Sequence, residues 1–128
     1  MQAPAGTPAA DASPPGPAGD ASFAAAARAE LAQADARLAK RFDAGEPADR
    51  LVALRARAVD ALLLAAWQRC FAADAPLALF AVGGYGRGEL FPQSDLDLLV
   101  LAEPEAQRAH EAALARFLAL VWDAGLQA

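Results

Sequence analysis

Cysteine, histidine, methionine and an excess of positive charge are what this 128-residue sequence lacks most. The single cysteine, Cys70, cannot form an internal disulfide, so we expect a reducing compartment and a cytoplasmic protein. Sixteen acidic residues against eleven basic ones give a formal net charge of -5, which argues against a surface that binds nucleic-acid phosphates. No apolar run approaches the roughly 18 residues of a membrane span, and no basic segment precedes an apolar core at the start. We therefore expect no membrane span and no signal peptide.

Alanine is abundant, with 38 of the 128 residues, and this favours helices that bury little area per residue. The distribution of proline is uneven, since five of the nine prolines lie in residues 1–21. That segment has no large apolar side chain between Met1 and Phe23. We predict that residues 1–21 are a disordered tail, because they cannot offset the entropy lost on ordering.

Two helices are predicted within residues 22–75, which we interpret as an N-terminal helical region. The first begins at Ser22, a suitable N-cap, and ends near Gly45; its apolar residues recur at spacings of three and four (Phe23, Ala27, Leu31, Ala34, Leu38, Phe42). The second runs from about Pro47 to Phe71, with a predicted buried stripe of Leu51, Leu54, Ala58, Leu62 and Ala65. Four arginines fall mostly off this stripe, which predicts a solvated basic face: Arg50, Arg55, Arg57 and Arg69.

Residues 76–128 are predicted to form a strand, a glycine-rich segment, a second strand and a third helix. The run Leu77–Val82 is short and fully apolar, which indicates a buried strand. The second strand is Asp95–Leu101, and the third helix runs from near Pro104 to Gly125. The expected fold class is therefore α+β, and His110 is expected at the surface of the third helix.

Two aspartates in the second predicted strand are candidates for metal binding. Asp95 and Asp97 are two residues apart, so both point to one face of the strand with Cα atoms about 6.5–7 Å apart. The rest of that strand is apolar, and two carboxylates there need a compensating cation, for which Mg²⁺ is suited by its preference for oxygen ligands. In the alternative interpretation, Ser94 and Asp95 cap a turn while Asp97 faces solvent at a sheet edge.

A glycine-rich segment precedes these aspartates, with four glycines between Gly83 and Gly88. A strand that ends in two glycines lets a phosphate approach the backbone, because no Cβ obstructs it. The alternative is a simple tight turn. The spacing matches neither a Walker A loop nor a dinucleotide fingerprint. A double glycine followed by Asp-x-Asp predicts a triphosphate site beside a metal site, and hence metal-assisted attack on the α-phosphate of a nucleoside triphosphate.

The segments Ala81–Pro92 and Ser94–Leu99 resemble the bacterial protein-PII uridylyltransferases, within the nucleotidyltransferase superfamily typified by DNA polymerase β. The resemblance extends over roughly residues 30–128, and residues 76–128 match the start of the nucleotidyltransferase domain. It implies a partial polymerase-β-like fold with two leading helices. It also implies transfer of UMP from UTP to a tyrosine of the signalling protein PII, with release of diphosphate. The resemblance further implies regulation by glutamine, through domains that we expect to lie outside this sequence.

The resemblance assigns roles by position. Gly83 and Gly84 would hold the triphosphate, and Asp95 and Asp97 would bind Mg²⁺ and act in catalysis. Arg87 would contact a phosphate, although an ion pair with Glu89 or contact with a helix C-terminus is the alternative.

Two further residues have open roles. Tyr85 either packs in the core or stacks on a base. Ser94 either donates a hydrogen bond to a phosphate or caps the turn.

Other interpretations stay open. Glutamine synthetase adenylyltransferases and minimal antitoxin-type enzymes share the superfamily, but usually carry Gly-Ser where this sequence has Gly83 and Gly84. A remnant that binds nucleotide without catalysis is the other alternative. The resemblance also implies a third carboxylate on a later strand, whereas the acidic residues after Asp97 lie on or near the third predicted helix (Glu103, Glu105, Glu111, Asp123). We therefore expect the chain alone to have little transferase activity.

Overall fold

The computed structural model describes residues 16–90 and 95–126. The predicted tail up to residue 15 and the candidate residue Ser94 lie outside this part of the chain. Its elements in chain order are α1 (Pro17–Asp43), α2 (Ala48–Cys70), β1 (Leu77–Val82), α3 (Gly83–Gly86), β2 (Asp97–Ala102), α4 (Pro104–Ala109) and α5 (Glu111–Asp123). Within the described residues the fold is α+β, as predicted.

Helix α1 begins five residues before its predicted start at Ser22. Pro17 occupies the first turn and Gly16 is the N-cap, which is a favourable place for proline because the first helical N–H groups have no partner within the helix. Asp20 lies in the same first turn. The prediction that residues 17–21 belong to a disordered tail was therefore wrong, and this turn takes part in packing, since the backbone at Gly19 is buried.

The buried face of α2 lies one position away from the predicted stripe. The buried side chains are Leu51, Val52, Arg55, Ala56, Val59, Leu63 and Ala66. A shift of one residue is about 100° around a helix, and the alanine-rich sequence allows it because apolar residues occupy both stripes. As a result Arg55, predicted to be solvated, is buried and donates to Asp35 of α1 at 2.8 Å. Arg57 and Arg50 are exposed as predicted.

The prediction of a solvated basic face is also wrong for Arg69, at the other end of α2. Its Nε donates to Oδ1 of Asp20 at 2.7 Å, and the other Asp20 oxygen accepts from Nε of Arg116 at 2.6 Å. The hydrogen bond from Arg116 is the main reason that the pKa of Asp20 falls from 3.8 to about 2. One carboxylate thus connects α1, α2 and α5, and this charge cluster was not visible in the helical periodicity.

The core lies between α1, α2 and α5. Its most buried large side chains are Val59, Leu63, Leu90, Phe117 and Val121. Trp67 of α2 packs edge-on against Phe117 with ring centroids 5.2 Å apart. The two predicted regions, helical and nucleotidyltransferase-like, therefore share one core. No helix of the described residues is long and apolar enough to cross a membrane.

The sheet consists of β1 and β2, paired antiparallel from Leu77 with Ala102 to Val82 with Asp97. Its inner face places Leu79 in the core. Its outer face is exposed and bears four large apolar side chains: Phe80, Val82, Leu99 and Leu101. The prediction of a strand buried on both faces was therefore wrong within the described residues, because only one face is covered by helices.

The third predicted helix is divided at His110. Helix α4 ends at Ala109 and α5 begins at Glu111, while His110 has φ -115° and lies outside the helical region. The Nδ1 atom of His110 lies 2.8 Å from the carbonyl oxygen of Ala106, and the ring approaches Phe71. His110 is half-buried rather than fully at the surface, and the division lets α5 turn its apolar side onto α2.

Candidate functional site

The glycine loop, residues 83–90, follows β1 without an intervening residue. It opens with the single helical turn α3, in which the N–H of Arg87 donates to the carbonyl oxygens of Gly83 and Gly84 at 3.2 and 3.1 Å. Position 86 has no room for a side chain, because a Cβ on Gly86 would lie 2.7 Å from the carbonyl oxygen of Ala81. The segment is therefore a compact turn folded back on β1, and sequence alone did not predict its helical character.

Asp97 lies directly against the first glycine of this loop. A Cβ on Gly83 would be 2.6 Å from Oδ2 of Asp97, and Gly83 has φ 63°, a conformation that side chains disfavour. The antiparallel pairing explains the contact, since Asp97 is opposite Val82, the residue before Gly83. The structure thus brings together the double glycine and one of the two predicted carboxylates.

Asp95 lies just before β2 rather than within it, because β2 begins at Asp97. Asp95 and Asp97 are exposed while Leu96 between them is buried in the core. This alternation is what an extended backbone produces when two carboxylates lie on the side opposite a buried residue. The predicted strand start was two residues early, but the predicted common side for the two aspartates agrees with this burial pattern.

Arg87 and Gly84 are also close to one another. A Cβ on Gly84 would lie 3.7 Å from Nη2 of Arg87. Arg87 is exposed, and among the ion pairs of the described residues none joins it to Glu89. The alternative of an Arg87–Glu89 pair is therefore wrong, and the guanidinium group lies beside the backbone of the double glycine.

Tyr85 packs in the core, which decides between its two predicted roles. Only 4% of the residue is exposed, and its hydroxyl donates to a carboxylate oxygen of Asp60 on α2. Burial, followed by the hydrogen bond to Asp60, raises the pKa of the Tyr85 hydroxyl. Sequence reasoning missed Asp60. The signal was a lone carboxylate in the otherwise apolar stretch from Ala58 to Trp67, where an ionised group needs a partner.

The carboxylates near the glycine loop have the chemistry of a divalent-cation site. Carboxylate oxygens are the ligands that Mg²⁺ prefers, and Mg²⁺ is commonly held by one or two carboxylates together with substrate phosphates. Within the described residues no group of three or more His, Cys, Asp or Glu side chains could hold a metal ion. Asp95 and Asp97 are thus two exposed carboxylates near the glycine loop, and a cation held by them would need further ligands from outside this pair.

The sequence around this site matches a known family of domains. Residues 66–125 match the family described as "Nucleotidyltransferase domain", and this range contains the glycine loop and both aspartates. The bifunctional uridylyltransferase/uridylyl-removing enzyme of Xanthomonas campestris pv. campestris (strain B100) is 67% identical over 117 residues, which is 91% of this chain and 14% of that enzyme. Nearly the whole of this chain is therefore similar to a short part of that enzyme.

Two further members of the uridylyltransferase family show the same relationship. The enzyme of Xanthomonas euvesicatoria pv. vesicatoria (strain 85-10) is 66% identical over 88% of this chain and 13% of its own length. The enzyme of Pseudomonas aeruginosa (strain LESB58) is 50% identical over 70% of this chain and 10% of its own length. The chain thus spans about one seventh of the length of the first of these relatives. No solved structure matches the chain.

Proposed function

We propose that this chain supplies the triphosphate-binding part of an enzyme that transfers UMP from UTP to a tyrosine of the signalling protein PII and releases diphosphate. The observation that carries the proposal is the contact between Asp97 and Gly83, where a Cβ would lie 2.6 Å from the carboxylate oxygen. A carboxylate and a bare stretch of backbone at one point suit a cation and a phosphate that bind side by side. The similarity to uridylyltransferases supports UTP as the nucleotide.

Each residue of the site has a distinct task in this proposal. The backbone of Gly83 and Gly84 binds phosphate oxygens, since no side chain blocks their approach. Asp95 and Asp97 hold Mg²⁺, and Arg87 contributes positive charge next to the same backbone. When bound, Mg²⁺ polarises the α-phosphate and neutralises charge on the diphosphate that leaves.

The acceptor and the regulator come from the family resemblance rather than from the site. The net charge of -5 agrees with a protein acceptor better than with a nucleic-acid end. Glutamine would act through parts of the enzyme outside this chain. A cytoplasmic location belongs to the same proposal, because UTP is an intracellular substrate.

The first experiment tests the nucleotide site in the 128-residue chain. Calorimetric titration with UTP in the presence of Mg²⁺ is expected to show binding that weakens at least tenfold without the metal. Asp97→Asn should weaken Mg²⁺-dependent binding by a similar factor, because a neutral amide is a poorer ligand for a hard cation. The matched control is Asp123→Asn, an exposed aspartate at the end of α5. Equal affinity for ATP would favour an adenylyltransferase instead.

The second experiment tests the reaction in a whole enzyme. The matching segment of the Xanthomonas campestris enzyme is replaced by this sequence, and transfer from labelled UTP to PII is measured alongside removal of the uridylyl group. Asp95→Asn is expected to abolish transfer and leave removal largely intact, because the proposed metal site serves transfer alone. An equal loss of both activities would assign Asp95 a folding role.

A further inference from the structure

The glycine loop needs an external support for its conformation. Four of its first six residues are glycines, which retain more backbone freedom than other residues when nothing holds them. Phosphate binding by backbone requires that this freedom be removed before the nucleotide arrives, since ordering on binding lowers affinity. Within the turn the hydrogen bonds are local. The N–H of Gly88 donates to the carbonyl oxygen of Tyr85 at 2.9 Å, and the N–H of Glu89 donates to the carbonyl oxygen of Gly84 at 3.0 Å. Local bonds fix the shape of the loop but not its position.

Tyr85 is the large side chain of the glycine-rich half of this loop, residues 83–88, and it enters the core. It is 4% exposed and belongs to the same cluster of buried residues as Val59 and Leu63 of α2. Its hydroxyl donates to Asp60, which lies between these positions on α2 and is itself half-buried. The bond joins a residue next to the proposed phosphate-binding backbone to α2, whose Val59 and Leu63 are fully buried.

A second contact fixes the far end of the loop on the same helix. The N–H of Leu90 donates to the carbonyl oxygen of Val52 at 3.3 Å, and the Leu90 side chain is 1% exposed. Val52 and Asp60 are eight residues apart on α2, a rise of about 12 Å. The loop is thus attached to α2 at two points, one through a side-chain hydrogen bond and one through backbone.

We propose that Asp60 and Tyr85 are positioning residues, and that their hydrogen bond holds the glycine loop on α2 so that the backbone of Gly83 and Gly84 is ordered for the triphosphate. The inference rests on the proposed function for its ligand. Neither side chain contacts the nucleotide in this proposal, since Tyr85 is buried in the core and the hydroxyl of Tyr85 is bonded to Asp60 on α2. In this proposal the backbone contact at Leu90 orients the loop, while the Tyr85 hydroxyl fixes the distance between the loop and α2.

The first arm of the test measures order in the loop without any ligand. Amide hydrogen exchange is followed by NMR in the 128-residue chain and in Tyr85→Phe, which keeps the ring and removes the hydroxyl. Amides of the glycine loop are expected to exchange about tenfold faster in the variant, while those of α5 change less than about twofold. In the separate variant Asp60→Asn, an acceptor oxygen is retained. Exchange of the loop amides in this variant should therefore stay within about threefold of the rate in the unmodified chain. Equal acceleration in the loop and in α5, or no change in either, would overturn the inference.

The second arm measures binding of UTP with Mg²⁺ by calorimetry. Tyr85→Phe is expected to weaken binding about tenfold, which corresponds to about 1.4 kcal/mol, and Asp60→Asn should weaken it less. The matched control is Asp35→Ala, which removes the bond to Arg55 between α1 and α2 and should leave affinity unchanged. Loss of protection in the loop with unchanged affinity would overturn the positioning role. An unmodified chain that does not bind the nucleotide would overturn the proposed function, and hydrogen exchange would still decide whether the bond orders the loop.

Discussion

The helical part of the molecule (α1, α2 and α5) and the sheet part (β1, the glycine loop and β2) are built on different principles. The helical part supplies most of the fully buried large side chains, among them Val59, Phe117 and Val121, although Phe42, Leu118 and Trp122 are exposed. It is also cross-linked by charge, through Asp20 to Arg69 and Arg116. The sheet part buries one face and exposes Phe80, Val82, Leu99 and Leu101 on the other.

The candidate chemistry lies in the less buried part. Asp95, Asp97 and Arg87 are exposed, whereas the residues that attach their loop to the helices, Tyr85 and Leu90, are buried. Stability and ligand binding are therefore carried by different residues. Changes to buried residues of the helical part should destabilise the whole domain, while changes to the exposed residues of the site should alter ligand binding at a smaller cost in stability.

The largest expected effect is in the helical part. Phe117→Ala removes a ring that is 1% exposed and packs against Trp67. The free energy of unfolding should fall by about 3–5 kcal/mol, as for other buried phenylalanines that leave a cavity. Urea unfolding followed by circular dichroism measures the change. The neighbouring Leu118→Ala is the control, since Leu118 is exposed on the same helix and should cost less than about 0.5 kcal/mol. Similar losses in both variants would contradict a core centred on α5.

The charge cluster comes next in magnitude. Because the pKa of Asp20 is about 2 in the folded chain and 3.8 ordinarily, its contribution is fully present above about pH 4 and is lost as the pH falls toward 2. Asp20→Asn should lower the free energy of unfolding by about 2 kcal/mol at pH 7, because two charge-assisted hydrogen-bond partners are lost.

A pH series of urea unfolding curves checks both points. The unmodified chain should lose more stability than Asp20→Asn between pH 4 and pH 2, so that the two curves converge at low pH. Parallel curves would show that the pKa of Asp20 is the same in the folded and the unfolded chain. The charge cluster would then not be a stabilising link between the three helices.

The next prediction compares two glycines of the loop, which belongs to the sheet part. Gly83 and Gly88 both have positive φ, but only at Gly83 would a Cβ meet Asp97, whereas at Gly88 it would meet open space. Each change to alanine should cost about 1–2 kcal/mol from the backbone conformation. Only Gly83→Ala should weaken binding of UTP with Mg²⁺, by at least tenfold, because it displaces the carboxylate. Equal affinity in the two variants, measured by calorimetry, would separate Asp97 from the nucleotide site.

Sequence patterns predicted the elements better than the faces they bury. The strand Leu77–Val82 and the helices on either side of Pro47 lie close to their predicted positions. The buried stripe of α2 was displaced by one residue because alanines and leucines occupy adjacent stripes, so that periodicity does not choose between them. The burial of Arg55 and Arg69 depends on carboxylates at positions 35 and 20, which are distant in sequence.

The site divides in the same way. The sequence predicted a triphosphate site at the double glycine beside a metal site at Asp95 and Asp97, but it did not predict the antiparallel pairing of Val82 with Asp97 that makes the contact. The partner of Tyr85 was not predicted either, since a hydrogen bond from residue 85 to residue 60 arises only from packing of the loop on α2. Residue roles in binding stay predictions, and the glycine and aspartate variants above test them.

The smallest expected effect concerns the outer face of the sheet. Leu101 is 53% exposed and lies opposite Ala78 on that face. Replacing Leu101 therefore removes little buried apolar surface. Leu101→Thr keeps a residue that suits strands and should change the free energy of unfolding by less than about 0.5 kcal/mol. Leu79→Ala, on the inner face, should cost about 2–5 kcal/mol by contrast. Urea unfolding at two protein concentrations measures both. A loss above about 1 kcal/mol for Leu101→Thr that grows with concentration would mean that the outer face is buried between copies of the chain, and the contrast between a covered helical part and an open sheet part would then apply only to the monomer.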